Sequence, residues 1–238
     1  MRVAAISDIH GNLPALEAVL AEIDREGVDE IVVVGDTAHG PWPAEVVDLL
    51  VEREALCVRG NADREVIERS DRFGPLAPWS ADRVGERRLA IVRDWPLTVE
   101  LTVDGLGAVL VCHSTPRQDD AVYTRITPDA ELVDILGPVA ADVLVSGHTH
   151  MQYDRILTSG LRVVNPGSVG MPYEGASGAY WALLGLDVEF RRAEYDVEAA
   201  VAAIEMMRVP LDAKMLEQLL EPPDAESTTE YFESLRGA

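Results

Sequence analysis

The stretch Ser146-Gly147-His148-Thr149-His150 places two of the chain's five histidines one residue apart, directly after the apolar run 143–145. The arrangement recurs. Asp8 and His10 follow the run 3–7, Asp36 follows 31–34, Asn61 and Asp63 follow 56–58, and His113 follows 108–112. Oxygen and imidazole donors without thiolates suit manganese, iron or zinc rather than calcium, and do not describe a structural zinc site. Two histidines flanking one residue in a tight loop can aim their rings at neighbouring points, as a pair of metal ions requires. A lone histidine is usually a surface or hydrogen-bonded residue, and Gly-Asp after a strand is often only a turn. Four of five histidines at strand ends, with an aspartate after each of the first two strands, is a joint pattern that those readings do not explain.

These residues need a scaffold that brings distant strand ends together. Short β-branched runs alternate with amphipathic segments, the pattern of a layered α/β domain. A strand over 3–7 leads to a helix opened by Pro14, with Leu16, Val19, Leu20 and Ile23 on one face and Gly27 at its end. The continuous apolar run 31–34 suits a strand buried on both faces, followed by a helix over 44–53 and a strand over 56–58. The stretch 70–96 is less regular, reading as a lid or flank with a helix that Ser80 caps. Asp104-Gly105 marks a hairpin between 99–103 and 108–112, and Thr127-Pro128 opens a helix with Glu131 placed for a capping box. The runs 155–157, 161–164, 179–186 and 188–195 read as antiparallel, followed by a helix over 197–208 and a peripheral helix or tail in 209–238. No repeat or low-complexity linker divides the 238 residues, so a single domain is expected. In open α/β sheets the loops beyond strand carboxyl ends converge on one crevice, which is where the polar residues fall.

A formal charge of −22, from 42 acidic against 20 basic residues, argues against long nucleic acid or an anionic membrane as partner. Lysine occurs once, at Lys214. No apolar run spans a bilayer and the N-terminus lacks the pattern of a signal peptide, so a cytoplasmic protein is expected. Cys57 and Cys112 each close an apolar run without a CxxC partner and read as reduced core thiols. The oligomeric state stays open, a homo-oligomer included.

The series Asp8-Ile9-His10, Gly35-Asp36, Gly60-Asn61-Ala62-Asp63, His113 and Gly147-His148-Thr149-His150 resembles the calcineurin-like metallophosphoesterase family, in particular its small bacterial and archaeal phosphodiesterase branch. The likeness runs in family order over residues 8–150 and extends to Asn165-Pro166-Gly167-Ser168-Val169-Gly170. It implies a four-layer α-β-β-α sandwich of two mixed sheets with a dinuclear site at the strand C-terminal edge. One ion would be held by Asp8, His10, Asp36 and His150, the other by Asp36 as bridge with Asn61, His113 and His148. Manganese is the first expectation, with iron, zinc, nickel or cobalt as alternatives. The implied reaction is in-line attack of a metal-bridging hydroxide on a small phosphorylated substrate, such as a phosphodiester or a dinucleoside polyphosphate.

Asp36, Asn61 and His113 would then be catalytic as well as ligating. Arg117, just beyond His113, is the first candidate for a further phosphate contact and Arg125 the second, with Arg59 and Arg64 flanking the Asn61 loop. Protein-phosphatase relatives carry a leaving-group histidine after the asparagine, where this chain has Ala62; His39 is the residue left to supply that proton. Without an acid, leaving groups already stable as anions are favoured over alkyl monoesters. The alternatives are a non-catalytic scaffold of the same fold, as in the related retromer subunit, and a protein or monoester phosphatase. A nuclease conflicts with the acidic charge. Trp42, Trp79, Tyr123 and Tyr173 are the aromatic residues available to stack a base.

Overall fold

The alternation of inward and outward side chains along short strands builds two sheets. In the computed structural model, which describes residues 1–236, β1 (Val3–Ile6) runs parallel to β2 (Glu30–Val33), and β2 parallel to β3 (Leu56–Cys57). On the other side β1 pairs antiparallel with β9 (Ala179–Leu184), which pairs antiparallel with β10 (Val188–Ala193). The second sheet has the order β4 (Thr98–Val103), β5 (Gly107–Cys112), β6 (Val143–Val145), β8 (Arg162–Pro166), β7 (Gln152–Ile156). Its central pairs β5/β6 and β6/β8 are parallel and its outer pairs antiparallel. The four late strands expected to be antiparallel therefore divide, β7 and β8 in one sheet and β9 and β10 in the other.

The period-two pattern decides which residues face which layer. Val3, Ala5, Val32 and Val34 meet Val109, Val111, Val143 and Val145 between the sheets. Ala4, Ile6, Ile31 and Val33 turn the other way, onto Leu16, Val19 and Ile23 of α1 (Leu13–Glu26). Leu144 and Val163 face Leu132 and Leu136 of α5 (Asp129–Leu136). Helices thus cover both outer faces of a two-sheet sandwich, as expected.

Local chemistry sets the helix ends. Asn12 caps α1 by accepting from the Ala15 N–H at 3.3 Å, Pro14 sits in the first turn, and Gly27 at φ 64° closes it. α2 (Pro43–Glu52) starts at its own proline. Two expectations are corrected. Ser80 is no cap; it is buried inside α4 (Leu76–Asp94), where its hydroxyl accepts from Gly40 N–H. The stretch 70–96 is indeed less regular, with turns over 70–75 and a kink of α4 at Gly85. Glu131 forms no capping box; it pairs with Arg236, and the helix begins after Pro128 with no side-chain cap. A further helix, α3 (Asn61–Glu68), starts on a candidate ligand.

The C-terminal segment is three helices, α6 (Val197–Met207), α7 (Ala213–Leu220) and α8 (Ala225–Leu235). Glu233 of α8 accepts from the hydroxyls of Thr124 (2.6 Å) and Thr127, and Thr229 lies 3.3 Å from Met151 Sδ. The peripheral helix is therefore docked beside the loop that follows His150.

β6 delivers both His148 and His150, and Leu144 at its centre is fully buried. Leu144→Ala should cost about 2–5 kcal/mol in urea unfolding. Metal affinity of the folded fraction should be unchanged, because the ligand loop is anchored separately through Asn165.

Candidate metal centre

Five of the seven expected ligands hold left-handed backbone: Asp8 (φ 51°), His10 (47°), Asp36 (53°), His148 (69°) and His150 (61°). Non-glycine residues pay for that conformation in strain, which clusters at functional sites because surrounding bonds enforce it. Those bonds are present. Asp8 N–H donates to Gly35 O at 3.1 Å and His10 N–H to Asp36 O at 2.9 Å, lacing the loops after β1 and β2. Gly147 N–H donates to His113 O at 2.8 Å, and Asn165 holds Gly147 O at 2.7 Å, fixing the loop after β6. Two glycines permit the close approach: a Cβ on Gly60 would lie 2.1 Å from Asp36 Oδ1, and one on Gly147 would lie 2.0 Å from Ser7 Oγ.

The side chains form two adjoining groups, Asp8, His10 and His150, and Asp36, His113 and His148. In the first, His150 Nε2 stands 3.2 Å from both Asp8 Oδ1 and His10 Nε2, and His10 Nε2 is 3.9 Å from Asp8 Oδ1. In the second, His113 Nε2 is 3.2 Å from Asp36 Oδ2 and 3.0 Å from Asn61 Oδ1. Asp36 Oδ2 also lies 3.8 Å from His10 Nε2, so this one oxygen stands between the groups.

Hydrogen bonds outside the cluster fix which atoms face in. Asp36 Oδ1 accepts from Ala62 N–H at 2.7 Å, and Asp8 Oδ2 accepts from Ser7 Oγ (2.5 Å) and His148 N–H (3.1 Å). Each carboxylate therefore turns its other oxygen inward. His113 Nδ1 is 2.7 Å from Val34 O and His150 Nδ1 is 2.6 Å from Met171 O. A carbonyl accepts only, so each ring carries a proton there and aims Nε2 at the carboxylates.

Charge follows from this packing. Burial would raise the Asp8 and Asp36 carboxyls, yet the facing His150 and His113 hold both below the usual range. Burial pulls His113 down, but Asp36 beside it drives it up to about 10; His150 is raised against burial by Asp8. His10 and His148 fall to about 4, through burial first and then the neighbouring histidine. Each facing carboxylate and imidazole thus favours the other's charged form, and a divalent cation would compete with a proton for the same Nε2 atoms.

The donor set fits divalent ions. Ligands about 2.0–2.2 Å from a first-row ion lie roughly 3.0–3.5 Å apart at octahedral or tetrahedral angles. Asp8 Oδ1 is buried with no hydrogen-bond partner. Asn61 faces His148 Nδ1 at 2.9 Å and His113 Nε2 at 3.0 Å; turned one way its amide nitrogen donates to both, and turned the other its oxygen joins them as a third donor.

Comparison with known proteins agrees. The model of the calcineurin-like phosphoesterase superfamily domain matches residues 1–188. The chain belongs to this superfamily. It is similar to an uncharacterized protein of Methanocaldococcus jannaschii, 29% identical over 87% of this chain and 93% of that one. Phosphodiesterase YfcE of Escherichia coli is 29% identical over 79% of this chain and 89% of its own. A crystal structure of a metallophosphoesterase from Sphaerobacter thermophilus superposes with a TM-score of 0.72 at 28% identity, covering 93% of this chain and 98% of that one. The protein is a metal-dependent phosphoric ester hydrolase by family.

Not every expected residue of this phosphoesterase joins the site. Arg117, expected on phosphate, turns away: its guanidinium donates to the carbonyls of Asp134 (3.4 Å) and Ile135 (3.3 Å) at the end of α5. The negative end of a helix dipole holds it there. Arg64 is engaged by Asp119 through two bonds of 2.9 Å, and Arg59 donates to Arg93 O. Arg125 is exposed, within electrostatic reach of Glu174. Tyr123 is buried; its hydroxyl donates to Ser114 O and accepts from Ser146 Oγ, both at 2.7 Å, so it braces the loops after β5 and β6 and is not open to a base. Trp42 and Trp79 pack against the helices α6 and α7. His39 does approach, its ring 6.1 Å from that of His10 and near perpendicular. Tyr173 stacks on His150 at 4.8 Å and 14°.

Asp63 has a role its spacing alone did not assign. It is fully buried and accepts from the N–H groups of Thr37 (2.9 Å), Ala38 (2.8 Å) and Gly60 (3.1 Å), tying the Asp36 loop to the start of α3. Burial and the nearby Asp36 raise its carboxyl to about 6. Its signal was an acid at the third helix position.

Gly60→Ala should weaken divalent-ion binding at least tenfold, because the added methyl displaces Asp36. Competition with a chelating dye measures the affinity. An unchanged value would show that Asp36 does not depend on this approach.

Proposed function

We propose that the protein hydrolyses a small phosphodiester or nucleotide phosphoanhydride, such as a dinucleoside polyphosphate, at a centre of two divalent ions. The observation that carries this reading is Asp36 Oδ2, 3.2 Å from His113 Nε2 and 3.8 Å from His10 Nε2, which joins two donor groups through one carboxylate. The likeness to phosphodiesterase YfcE supports the diester. Two divalent ions, when bound, acidify a water for in-line attack and neutralise charge on the phosphoryl oxygens. Manganese is our first choice, since the donors are imidazole, carboxylate and amide with no thiolate.

The chain's own part is to fix the donors and exclude misplaced ones. Asp8, His10 and His150 would hold one ion together with Asp36, and Asn61, His113 and His148 would hold the other. Asp36 is placed to serve both, since Ala62 N–H restrains its second oxygen and leaves Oδ2 facing the two groups. Asn61 at the start of α3 and His113 just after β5 would supply donors to the second ion on the Asp36 side.

Proton donation to the leaving group is the weak step. Ala62 offers only its backbone N–H, already given to Asp36. Burial lowers the His39 pKa from its ordinary value, so at pH 7 the ring is neutral and a poor acid. The favoured substrates are therefore those whose leaving group is stable as an anion, which sets simple alkyl monoesters and phosphoserine proteins behind. The dense negative charge keeps long nucleic acid away. Cytoplasmic residence fits the two unpaired, buried thiols Cys57 and Cys112. Among the described residues no helix is long and apolar enough to cross a membrane.

Manganese-loaded protein should hydrolyse p-nitrophenyl diesters and dinucleoside polyphosphates at least tenfold more efficiently than a sugar monophosphate, read as kcat/KM. The reverse order would contradict the leaving-group argument. His39→Gln should change kcat/KM on a sugar monophosphate, whose alkoxide leaving group does need an acid, less than threefold; a loss of a hundredfold there, with turnover of the nitrophenyl diester kept, would make His39 the missing donor.

A further inference from the structure

An aromatic ladder leads outward from the metal centre. Tyr173 stacks on His150, Phe232 lies 6.3 Å from Tyr173, and Tyr231 lies 5.9 Å from Phe232. The ladder ends in a cleft between α7 and α8 with about 380 Å³ of free space, lined by Tyr173, Tyr231, Phe232, Lys214, Gln218 and Ser227. Cavities of roughly 300 Å³ and above accommodate small organic ligands. The apolar seam beside His10 and His39 is different, since it leaves only about 30 Å³, room for little more than a water.

The cleft's composition is selective. It carries the chain's single lysine, in a protein of 42 acidic residues. Arg155 pairs with Asp129 and Arg236 with Glu131 and Glu233, whereas Lys214 enters no ion pair among the described residues. Tyr231 keeps 61% of its surface exposed although Phe232 adjoins it. An exposed ring, a cation and amide and hydroxyl groups together match a base, a phosphate and a sugar.

The walls are set by the fold. Lys214 and Gln218, four residues apart, share one face of α7, while Met215 and Leu219 share another and line the seam at His10. Asp212 caps α7 by accepting from Met215 N–H at 2.7 Å, and Asp224 caps α8 by accepting from Ser227 N–H at 2.9 Å. Gly175 N–H donates to Pro223 O at 3.0 Å, which joins the Tyr173 loop to the link between α7 and α8. The cleft and the metal centre therefore share one wall, Tyr173. Residues 213–235 lie beyond the part of the chain that the superfamily model matches.

We propose that this cleft is a nucleotide subsite: an aromatic base stacks on the exposed face of Tyr231, with Phe232, inclined at 64° to that ring, meeting its edge, and Lys214 pairs with a phosphate of the same nucleotide. As the portion of the substrate distal to the metal centre, this nucleotide rests on the phosphoesterase reading, but its binding needs neither metal nor turnover.

Adenosine monophosphate is the probe, titrated by calorimetry into metal-stripped protein. The expected result is saturable binding, weakened at least tenfold in Tyr231→Ala and in Lys214→Gln, and kept within twofold in Tyr231→Phe. With manganese, KM for a diadenosine polyphosphate should rise at least tenfold in the same two variants, while kcat/KM for p-nitrophenyl methyl phosphate stays within twofold of wild type. Absence of adenosine monophosphate binding, or binding indifferent to both substitutions, overturns the subsite even if the nitrophenyl diester is turned over. Binding that the two variants lose, in a protein with no turnover under any metal, upholds the subsite and defeats the phosphoesterase reading instead.

Discussion

Asp8 Oδ1 and Asp36 Oδ2 are buried oxygens, each held 3.2 Å from an imidazole Nε2 whose ring proton is committed to a carbonyl on its far side. Lone pairs then face lone pairs, and such a contact is stable only with positive charge between them, whether a proton or a metal ion. The rest of the site serves that constraint. Ser7, the His148 N–H and the Ala62 N–H restrain the outer carboxylate oxygens, and Asp63 restrains the loop that carries Asp36. The strained backbone of the five expected ligands persists because the same bonds that aim the side chains also hold the chain.

The two sheets make this economical in sequence. β1, β2 and β3 end at one edge of the first sheet and β5 and β6 at one edge of the second, with a dry valine-rich layer between them. Loops from five strands thereby meet although their residues span positions 8 to 150. A packed interior moves little, so the sheets fix where the loops begin, and the hydrogen bonds within and between the loops fix the distances inside each group. The C-terminal helices add what the sheets lack, a wall with a cation and exposed aromatic rings beside the ions' expected position.

The parts legible from sequence were those governed by period. Continuous apolar runs announced the buried strands, and polar residues immediately after them announced the site; Asp8, His10, Asp36, His113, His148 and His150 all converge. Asn61 lies with them, although the helix it starts was not foreseen, because Asn61–Glu68 has too few apolar residues to show a helical stripe. α7 does carry apolar residues at helical spacing, Met215, Leu216, Leu219 and Leu220, but at two turns it is too short to stand out from the acidic segment around it. Arg117 shows a different limit. It follows a ligand by four positions, but a turn in which its N–H donates to Thr115 Oγ1 at 3.3 Å sends its guanidinium to the end of α5. Spacing along the chain does not state a side chain's direction. The same holds for Tyr123, which braces the loops after β5 and β6 from within the core.

In the reading proposed above, the single carboxylate of Asp36 serves two ions. Crystals of manganese-loaded protein, measured at a wavelength where manganese scatters anomalously, test it most directly. Two anomalous peaks are expected, one among Asp8, His10 and His150 and one among Asn61, His113 and His148, with Asp36 touching both. A single peak, or two peaks of which Asp36 touches only one, would contradict it.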